Sequence, residues 1–538
     1  MNVKKKVELV FCLCFAAIFM NSCKSKDDQK KIAENGAENK PNIIFILADD
    51  LGANDLSYAG STYYETPSID RIAKEGTIFT QGYAAAQVCS PSRASIMTGQ
   101  YTTGHGITDW IGAASGEAWK NQGHNTKVLP PAYTHSLSEG SVTIAEAMKN
   151  AGYKTFFAGK WHLGEGNSIP ENHGFEINKG GWAVGTPKGG YYAPWKNPKL
   201  EAKYDGESLT MRLAEETADF ITQNKNQPFF AFLSFYAVHG PIETTEEKWK
   251  KYRNKAEAQG IPETGFEMER VLPIRMVQDN PVYAGLLETM DDAIGVVLEK
   301  LKELNLDKNT IIVFTSDNGG VASGDAYATT NLPLRGGKGY QWEGGIREPY
   351  LIKAPFLKDA PKTIDYPVSG IDFYPTLLDF AGITSQPTQK IDGISLAPLL
   401  KGESVTERPL FWHYPHYGNQ GGAPVSIIRK EHWKLIHFWE DGVDELYNLS
   451  EDPSETNNVI EKNSVIAQTL RKELDTYLSE SNAAIPTRNP DYDESLAQKQ
   501  YQKRSTEVRE RLEKQRKDFL SKDFDPKNNW YDSQQTKD

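Results

Sequence analysis

Four apolar stretches of this 538-residue chain are each followed at once by side chains that could bind an ion or move a proton. In chain order these side chains are Asp49 and Asp50, then Lys160 and His162, then His239, then Asp317 and Asn318. In a parallel sheet, ligands bind beyond the carboxyl ends of the strands, so strands here would bring the four groups to one edge. Carboxylate and amide oxygens are hard ligands that suit calcium or magnesium and suit zinc or copper poorly. The set predicts a site for a hard divalent cation with basic groups beside it.

Each of these features also has an ordinary structural interpretation. An Asp-Asp pair after a strand is commonly a turn or a helix cap, and Asp317-Asn-Gly-Gly320 is a turn signal. A Lys or His in a loop is commonly solvated. It is the combination at four strand ends that favours a functional site.

The strongest local signal is the segment Cys89-Ser-Pro-Ser-Arg93 followed by Ala-Ser-Ile-Met-Thr-Gly99. A Cys just before a helix start lies where backbone amides and the helix dipole favour an anion. The other three cysteines are Cys12, Cys14 and Cys23, all near the N-terminus, so the body of the chain has no internal disulfide. On these grounds Cys89 is either a buried thiol or a residue retained for its chemistry, such as a thiolate nucleophile.

The elements that would position these groups alternate between strand and helix. Continuous apolar runs predict buried strands at 41–48, 155–158, 228–235 and 310–315. Thr66-Pro67 opens a helix that Gly76 closes, and Thr143 with Glu146 forms a capping box. This alternation predicts an α/β sandwich around a mostly parallel sheet.

After about residue 400 the pattern changes. Aromatic-rich strands are predicted at 409–414 and 426–438 and a helix at 465–478, which indicates a smaller α+β subdomain. From residue 484 the chain is charged, and Glu510–Lys517 predicts an exposed helix or a partly ordered tail.

The N-terminus has the pattern of an export signal. Lys4–Lys6 precede an apolar run from Leu9 to Met20, which is shorter than a membrane span. A small residue before Cys23 resembles the bacterial lipoprotein signal, in which that Cys carries the lipid; a plain secretory signal is the alternative. The polar stretch that follows predicts a flexible tether. The formal net charge of −12 argues against broad nucleic-acid binding.

Several motifs together resemble one enzyme family. Cys-x-Pro-x-Arg at 89–93 with its Thr-Gly ending is similar to the signature of the type I sulfatases, in which the Cys becomes Cα-formylglycine. Further blocks match in the family's order: Ala-Asp-Asp-Leu-Gly at 48–52, Gly-Lys-Trp-His-Leu-Gly at 159–164, His239-Gly-Pro, Ser-Asp-Asn-Gly-Gly at 316–320, Gly-Lys338-Gly, and Glu343-Gly-Gly-Ile-Arg-Glu-Pro349. The resemblance implies an alkaline-phosphatase-like fold. Over the matched part it implies a catalytic domain over 41–400 and a C-terminal subdomain over 401–483. The residue patterns at the two ends predict a lipoprotein signal peptide over 1–22, a flexible tether over 23–40 and a charged helical extension over 484–538.

The resemblance also implies residue roles. The calcium ligands would be Asp49, Asp50, Asp317 and Asn318, with residue 89 as a further ligand after conversion. The catalytic set would be residue 89 with Arg93, Lys160, His162, His239 and Lys338. In this scheme His239 with Lys338 protonates the leaving oxygen, and His162 is the base that allows sulfate to be released. A sulfatase-maturating enzyme is the implied partner for Cys89.

The substrate is less sharply indicated. The blocks Ile107–Trp110 and Leu334–Tyr340 resemble bacterial carbohydrate sulfatases, a subgroup with members that act on galacto-configured 4-O-sulfates. We expect His105, Asp109, Trp110 and Arg347 to bind the sugar. The Gly- and aromatic-rich stretch 180–195 suits sugar faces or ordinary loop packing. Two other functions remain open, namely a phosphoester or phosphonate hydrolase of the same superfamily and an inactive glycan-binding lipoprotein.

Overall fold

The computed structural model describes residues 40–385 and 387–526. The predicted signal segment, Cys23 with its predicted lipid, and all but the last residue of the predicted tether lie outside the described residues, as do residues 527–538 of the predicted extension. Within the described residues, none of the helices has the length and apolar character needed to cross a membrane.

The strands and helices alternate along the chain as expected. The strands are β1 (Asn42–Ala48), β2 (Thr77–Phe79), β3 (Gly82–Tyr83), β4 (Val128–Leu129), β5 (Lys154–Gly159), β6 (Ile177–Lys179), β7 (Phe229–Ser234), β8 (Phe266–Glu269), β9 (Leu272–Arg275), β10 (Thr310–Ser316), β11 (Tyr350–Lys353), β12 (Thr363–Ile364), β13 (Val368–Ser369), β14 (Leu410–Tyr414), β15 (Val425–Lys430), β16 (Trp433–Phe438), β17 (Asp444–Asn448) and β18 (Thr487–Arg488).

The helices are α1 (Pro67–Glu75), α2 (Cys89–Thr98), α3 (Thr102–His105), α4 (Gly116–Asn121), α5 (Ile144–Asn150), α6 (Leu209–Asn224), α7 (Glu246–Gln259), α8 (Pro281–Glu303), α9 (Glu343–Ile346), α10 (Phe373–Phe380), α11 (Ala397–Leu400), α12 (Ser464–Glu480), α13 (Glu494–Lys503) and α14 (Arg509–Leu520). A π-helical turn, Arg504–Val508, joins α13 to α14. Short 3₁₀ turns lie at Ser57–Ala59, Pro170–His173, Asp307–Asn309, Gly370–Asp372 and Ile460–Asn463.

The central sheet has eight strands in the order β12-β2-β11-β10-β1-β7-β5-β6. Strands β10, β1, β7, β5 and β6 are parallel, and β11 runs antiparallel to both of its neighbours. The predicted mostly parallel sheet is therefore confirmed. The carboxyl ends of β1, β5, β7 and β10 meet at one edge, where the functional residues follow.

Helices cover both faces of this sheet, and the side chains of β1 alternate between them. Ile44 and Ile46 contact the core that contains α1, α6, α7 and α8, whereas Phe45 and Leu47 contact the core that contains α2, α5 and α10. Burying a side chain of this size contributes about 1.5–3 kcal/mol relative to its exposure. A strand buried on both faces is held firmly in place, and its carboxyl end is fixed with it.

The C-terminal subdomain is a four-stranded antiparallel sheet in the order β14-β15-β16-β17. One face, with Ile427 and Ile436, packs on Tyr83 and Trp342 of the main domain. The other face is covered by α12, whose Leu470 and Leu474 contact Ile428 and Leu435 of the sheet. The predicted strand over 426–438 is in fact the two strands β15 and β16, which turn at 431–432.

The charged extension differs from its expected form. Its helix α14 is not an exposed rod, because Leu512, Phe519 and Leu520 are buried against the main domain. Trp249 Nε1 donates to the Phe519 carbonyl at 3.0 Å, and Arg516 Nε donates to Asp279 at 2.7 Å. Helix α14 has a narrow apolar face among its many charged residues. The composition of the segment therefore predicted a helix exposed to solvent, whereas this face is buried.

Candidate active site

Four strand ends bring the predicted polar groups together. Asp49 follows β1, Lys160 follows β5, Asp317 follows β10, and His239 lies five residues after β7. Pairing between β1 and β7 continues past the strands, since the Asp49 amide donates to the Ala237 carbonyl at 2.9 Å and Val238 donates to Asp49 at 2.7 Å. This extra pairing holds His239 over the sheet edge, beside Asp50.

Three buried carboxylates at this edge each contact a buried cation. Lys160 Nζ lies 2.6 Å from Asp49 Oδ2, and Lys338 Nζ lies 2.8 Å from Asp50 Oδ1. Arg93 Nε donates to Asp317 Oδ2 at 2.7 Å. Buried ions of one sign are strongly unfavourable without partners. The alternation of sign explains how so many charges share a site inside the protein.

The same contacts move the pKa values of the two adjacent aspartates in opposite directions. Burial raises the pKa of Asp49 well above its usual range, and the charge of Asp317 adds to the effect. Burial alone would also raise the pKa of Asp50, but the positive charge of Lys338, which hydrogen-bonds to it, outweighs burial and lowers that pKa. Asp49 is the carboxylate that most needs a further positive charge.

The oxygen atoms at this edge fit a hard divalent cation. Asp49 Oδ1 and Asn318 Oδ1 are buried, and no protein group hydrogen-bonds to either of them. Ligand atoms of Asp49, Asp50 and His239 lie within 4.8 Å of one another. Because buried polar atoms seldom lack partners, orphaned oxygens of this type indicate where a cation would bind. Among the predicted ligands, the Asp317 carboxylate is engaged by Arg93 and by the Asp50 amide, at 2.7 and 3.2 Å.

Cys89 is the first residue of α2 and is buried. Its Sγ lies 3.4 Å from His162 Nδ1, which is also 3.2 Å from Ser90 Oγ. Burial raises the pKa of the Cys89 thiol even though Lys160 and Lys338 oppose the effect. An ordinary thiolate is therefore disfavoured at this position, and the cysteine side chain is held against a potential base.

Backbone strain is concentrated at two of these residues. Asp50 and His162 have φ values of 65° and 55°, in the left-handed region that residues other than glycine rarely adopt. Such a conformation costs on the order of 1–3 kcal/mol and persists only where the surrounding structure enforces it. Gly185 packs directly on the His162 ring, where an added Cβ would lie 2.5 Å from it. A side chain at position 185 would therefore displace the His162 ring from its place beside Cys89.

Both histidines are neutral in the absence of a bound anion. Burial, then the charges of Lys160 and Arg93, hold the pKa of His162 well below its usual value. Burial, then the Lys338 charge, lowers the pKa of His239 to about 4. An anion in the cavity would offset those cations and raise both pKa values. His239 Nδ1 donates to the Gly240 carbonyl at 2.6 Å, which leaves Nε2 facing the site.

A cavity of about 430 Å³ opens above these groups. Cys89, His162, His239, Lys338 and Trp110 line it, so five of the predicted residues share one space. The sequence analysis did not identify Lys188, Asp325, Asn419 and Gln420, which also line it. The run Gly418-Asn-Gln-Gly-Gly422 has the sequence of a turn, and the sequence analysis gave it no function. The positive charge of Lys188, within the stretch 180–195, could have marked that residue as a candidate for the site.

Two residues expected to bind the sugar are placed elsewhere. His105 lies beneath α2, with Nε2 3.0 Å from Ser95 Oγ, and burial lowers its pKa to about 3. Arg347 pairs with Glu343 at 3.2 Å and donates to the Thr80 carbonyl. Arg347 lines a different cavity, beside Asp365 and Arg429. The position of each in a motif block did not reveal that its side chain points away from the site.

Asp109 and the aromatic stretch have mainly packing contacts. Asp109 is buried, accepts from the Tyr414 hydroxyl at 2.9 Å, and has a pKa that burial raises to about 7. It does not line the cavity, although its neighbour Trp110 does. Tyr191, Tyr192 and Trp195 belong to the core, as the loop-packing interpretation expected. Residues 183–186 and Lys188 of the same stretch form one wall of the cavity.

Family models match nearly all of the part of the chain that builds this site. The sulfatase model matches residues 41–383, and the model of the C-terminal region of N-sulphoglucosamine sulphohydrolase matches residues 337–483. The chain belongs to the sulfatase family. It is accordingly a sulfuric ester hydrolase, and the family in general uses formylglycine and a metal ion.

Relatives of this sulfatase cover most of its length. A sulfatase from Formosa agariphila is 32% identical over 524 residues, which is 83% of this chain and 90% of the relative. Human N-acetylgalactosamine-6-sulfatase is 29% identical over 429 residues, covering 75% of this chain and 73% of the human protein.

Solved structures agree with the fold of this sulfatase. The crystal structure of Ps i-CgsB superposes with a TM-score of 0.66 and 26% identity, and covers 88% of this chain and 98% of that one. The phosphonate monoester hydrolase of Agrobacterium radiobacter shares the fold, with a TM-score of 0.59 and 19% identity, over 82% of this chain and 96% of that one.

Proposed function

We propose that this sulfatase hydrolyses a sulfate ester on a carbohydrate, using formylglycine formed from Cys89 and a bound calcium ion. The observation that carries the proposal is the cavity in which Cys89, His162, His239 and Lys338 meet beside the orphaned oxygens of Asp49 and Asn318. A sulfate ester repels nucleophiles because it is negatively charged. Cations concentrated on one buried side of a cavity offset that charge.

Bound calcium would supply positive charge against the sulfate and would make a hydroxyl of residue 89 more acidic. Hydrated formylglycine supplies a nucleophilic hydroxyl and a second hydroxyl on the same carbon, through which sulfate can leave. The residues that would hold the ion are Asp49, Asp50, Asp317 and Asn318. Their oxygen-only chemistry fits calcium or magnesium.

The side chains around residue 89 have different roles in the proposed reaction. His162 Nδ1, 3.4 Å from Cys89 Sγ, is placed to accept a proton from residue 89. Lys338 and His239 both lie at Asp50, since Lys338 Nζ is 2.8 Å from Asp50 Oδ1 and His239 Nε2 is 3.7 Å from Asp50 Oδ2, and both line the cavity. They would protonate the leaving sugar oxygen. Arg93 and Lys160 would hold the charged groups beneath residue 89 in place.

The carbohydrate substrate is supported by the relatives' names. The human relative is an N-acetylgalactosamine-6-sulfatase, and Ps i-CgsB has been crystallised with k-i-k-neocarrahexaose. The blocks at 107–110 and 334–340 favour a galacto-configured sugar with a 4-O-sulfate. Trp110, on the cavity wall, is the aromatic side chain available to the sugar face.

We also propose that the protein is exported and anchored by a lipid on Cys23, at the periplasmic or outer surface, where it would meet glycans. The basic Lys4–Lys6 and the apolar run before Cys23 support this. A labelled palmitate feed should mark the wild type and leave a Cys23→Ala variant unlabelled. Labelling of both proteins, or of neither, would count against the anchor.

The deciding experiment is the mass of the tryptic peptide Glu75–Arg93, taken from protein made in its native or an activating host. Conversion of Cys89 exchanges sulfur for oxygen and removes two hydrogens. A peptide with that lower mass would support the proposal, and the same protein should hydrolyse aryl sulfates faster than aryl phosphates. An unmodified thiol in a fully active sulfatase would overturn the formylglycine part. A preference for aryl phosphates would overturn the substrate class.

A further inference from the structure

A second cavity of about 480 Å³ lies beside the first one. The loop 417–422 separates them, and Asn419 lines both. A molecule that occupies both cavities would therefore pass this loop. The second cavity, unlike the first, is built partly by the C-terminal extension, through Tyr492, Ala497 and Arg504.

One wall of the second cavity is aromatic. Trp119 stacks on His124, with ring centroids 3.7 Å apart, and on Tyr417 at 5.8 Å, so the three rings form a column. Tyr492 and Tyr501 line the cavity from the extension, and Tyr501 is 38% exposed. Aromatic rings with polar edges are suited to the apolar faces and hydroxyl groups of sugars.

The charges in this cavity are predominantly positive. Arg270 and Glu440 neutralise each other at 2.8 Å. Lys127 and Arg504 also line the cavity, and among the described residues no carboxylate lies within ion-pair distance of either side chain. Burial, then the Arg504 charge, lowers the pKa of His124, which leaves the ring neutral. Two unpaired cations thus face the cavity in a chain whose net charge is −12.

The wall supplied by the extension is fixed to the main domain. Strand β18 pairs with β4, and the Asn489 amide donates to the Lys127 carbonyl at 2.9 Å. Lys120 Nζ contacts Asp491 at 2.8 Å. Arg504 begins the π-helical turn, a rare conformation that occurs frequently at functional sites. The family models end at residue 483, so this wall lies beyond the matched region.

We propose that the second cavity is a subsite for a neighbouring anionic sugar of a sulfated oligosaccharide, contacted by Lys127 and Arg504. This inference rests on the proposed carbohydrate sulfatase function and adds that the enzyme acts on oligomers rather than on free monosaccharide sulfates. Charge-assisted hydrogen bonds from the two cations would supply affinity, and the aromatic column would orient the ring.

The test uses active full-length enzyme and measures inhibition of 4-nitrophenyl sulfate hydrolysis. The probes are mono-, di- and tetrasaccharides prepared from chondroitin sulfate and carrageenan. We expect the inhibition constant of at least one series to fall by roughly tenfold as the chain lengthens past one sugar. If no series tightens with length in the wild type, the subsite does not exist.

Substitutions in the second cavity would show which residues cause the tighter binding of longer saccharides. Lys127→Gln and Arg504→Gln should each remove most of the tightening and leave 4-nitrophenyl sulfate turnover unchanged. Ala497→Trp, which fills the cavity without changing a charge, should do the same. The matched control is Lys503→Gln, because Lys503 is exposed, precedes Arg504 and does not line the cavity. Melting temperatures would show that all four variants fold.

The outcomes separate this inference from the proposed function. An enzyme that does not hydrolyse 4-nitrophenyl sulfate at all would count against the proposed function itself. If the enzyme is active and longer saccharides still bind more tightly to Lys127→Gln, Arg504→Gln and Ala497→Trp, the proposed function stands. The proposal of a second subsite would then be overturned. If Lys503→Gln lost the tighter binding of longer saccharides as fully as the cavity variants, the cause would be the overall charge of the protein. That result would also overturn the second subsite.

Discussion

At the scale of single residues, position 89 decides whether turnover can complete. A serine there keeps one hydroxyl facing His162 but lacks the second hydroxyl on the same carbon, so it could accept sulfate without releasing it. We expect Cys89→Ser to lose steady-state hydrolysis of aryl sulfates completely. Its intact mass should increase by one sulfo group (SO3) after incubation with substrate, because the serine oxygen replaces the oxygen of the leaving alcohol; electrospray mass spectrometry would show this.

Cys89→Ala is the matched control for this experiment. It should be equally inactive and should gain no mass, because it has no hydroxyl at all. Wild-type rates from Cys89→Ser would exclude the proposed chemistry. The buried position of Cys89 and its raised thiol pKa make an unmodified cysteine a poor alternative nucleophile.

A second residue-scale prediction concerns the ion. A ligand that binds only the folded state stabilises it by about 2.7 kcal/mol at about 100 times its Kd. Calcium added after chelation should therefore raise the melting temperature of the wild type. Asn318→Ala removes an orphaned buried oxygen and should reduce that rise strongly. Asn172→Ala, at an exposed position, should keep it; an equal rise in both variants would exclude Asn318 as a ligand.

At the scale of elements, the sequence was most informative where local rules operate. The apolar runs placed the strand ends at Ala48, Gly159 and Ser316 to within one residue, and the Thr143–Glu146 capping box is present as predicted. His105 and Arg347 were misplaced because a motif fixes position along the chain and not side-chain direction. Asn419 and Gln420 could not be predicted, because their approach to the site depends on how the C-terminal subdomain packs.

A buried ion cluster joins that subdomain to the main domain. Lys434 of β16 is fully buried and lies 3.1 Å from Glu343 and 2.8 Å from Glu455. Removing one member of a buried ionic group leaves its partners uncompensated and costs about 3–5 kcal/mol. We expect Lys434→Met to lower the free energy of unfolding by about that amount, measured by urea denaturation.

The neighbouring strand offers the control for Lys434. Lys430 of β15 pairs with Glu473 at 2.8 Å, but its side chain is 42% exposed. Exposed pairs contribute about 0–1 kcal/mol, so Lys430→Met should change stability little. Equal effects of the two substitutions would mean that the Lys434 cluster does not stabilise the contact between subdomain and main domain.

At the scale of the whole molecule, the C-terminal extension is part of the folded enzyme. Phe519 and Leu520 belong to the same core as the central strands β1 and β7, although more than 200 residues separate them along the chain. The expectation of an exposed helix failed because the apolar residues of α14 are few and widely spaced among charges. Only the tertiary contacts show that they complete the surface of α7 and α8.

That contact yields a prediction about the stability of the whole molecule. Phe519 is 7% exposed and packs on the core beside Trp249, whose indole donates to the Phe519 carbonyl. A Phe→Ala substitution at a buried site costs about 3–5 kcal/mol, so Phe519→Ala should shift the unfolding of the catalytic core itself. Lys517→Ala, exposed on the same helix, should stay within about 0.5 kcal/mol of the wild type. Urea denaturation followed by tryptophan fluorescence would measure both. Phe519→Ala could instead make only α14 sensitive to proteolysis and leave the main unfolding transition unchanged. The extension would then not be part of the catalytic core, and the wall of the second cavity would lose its support.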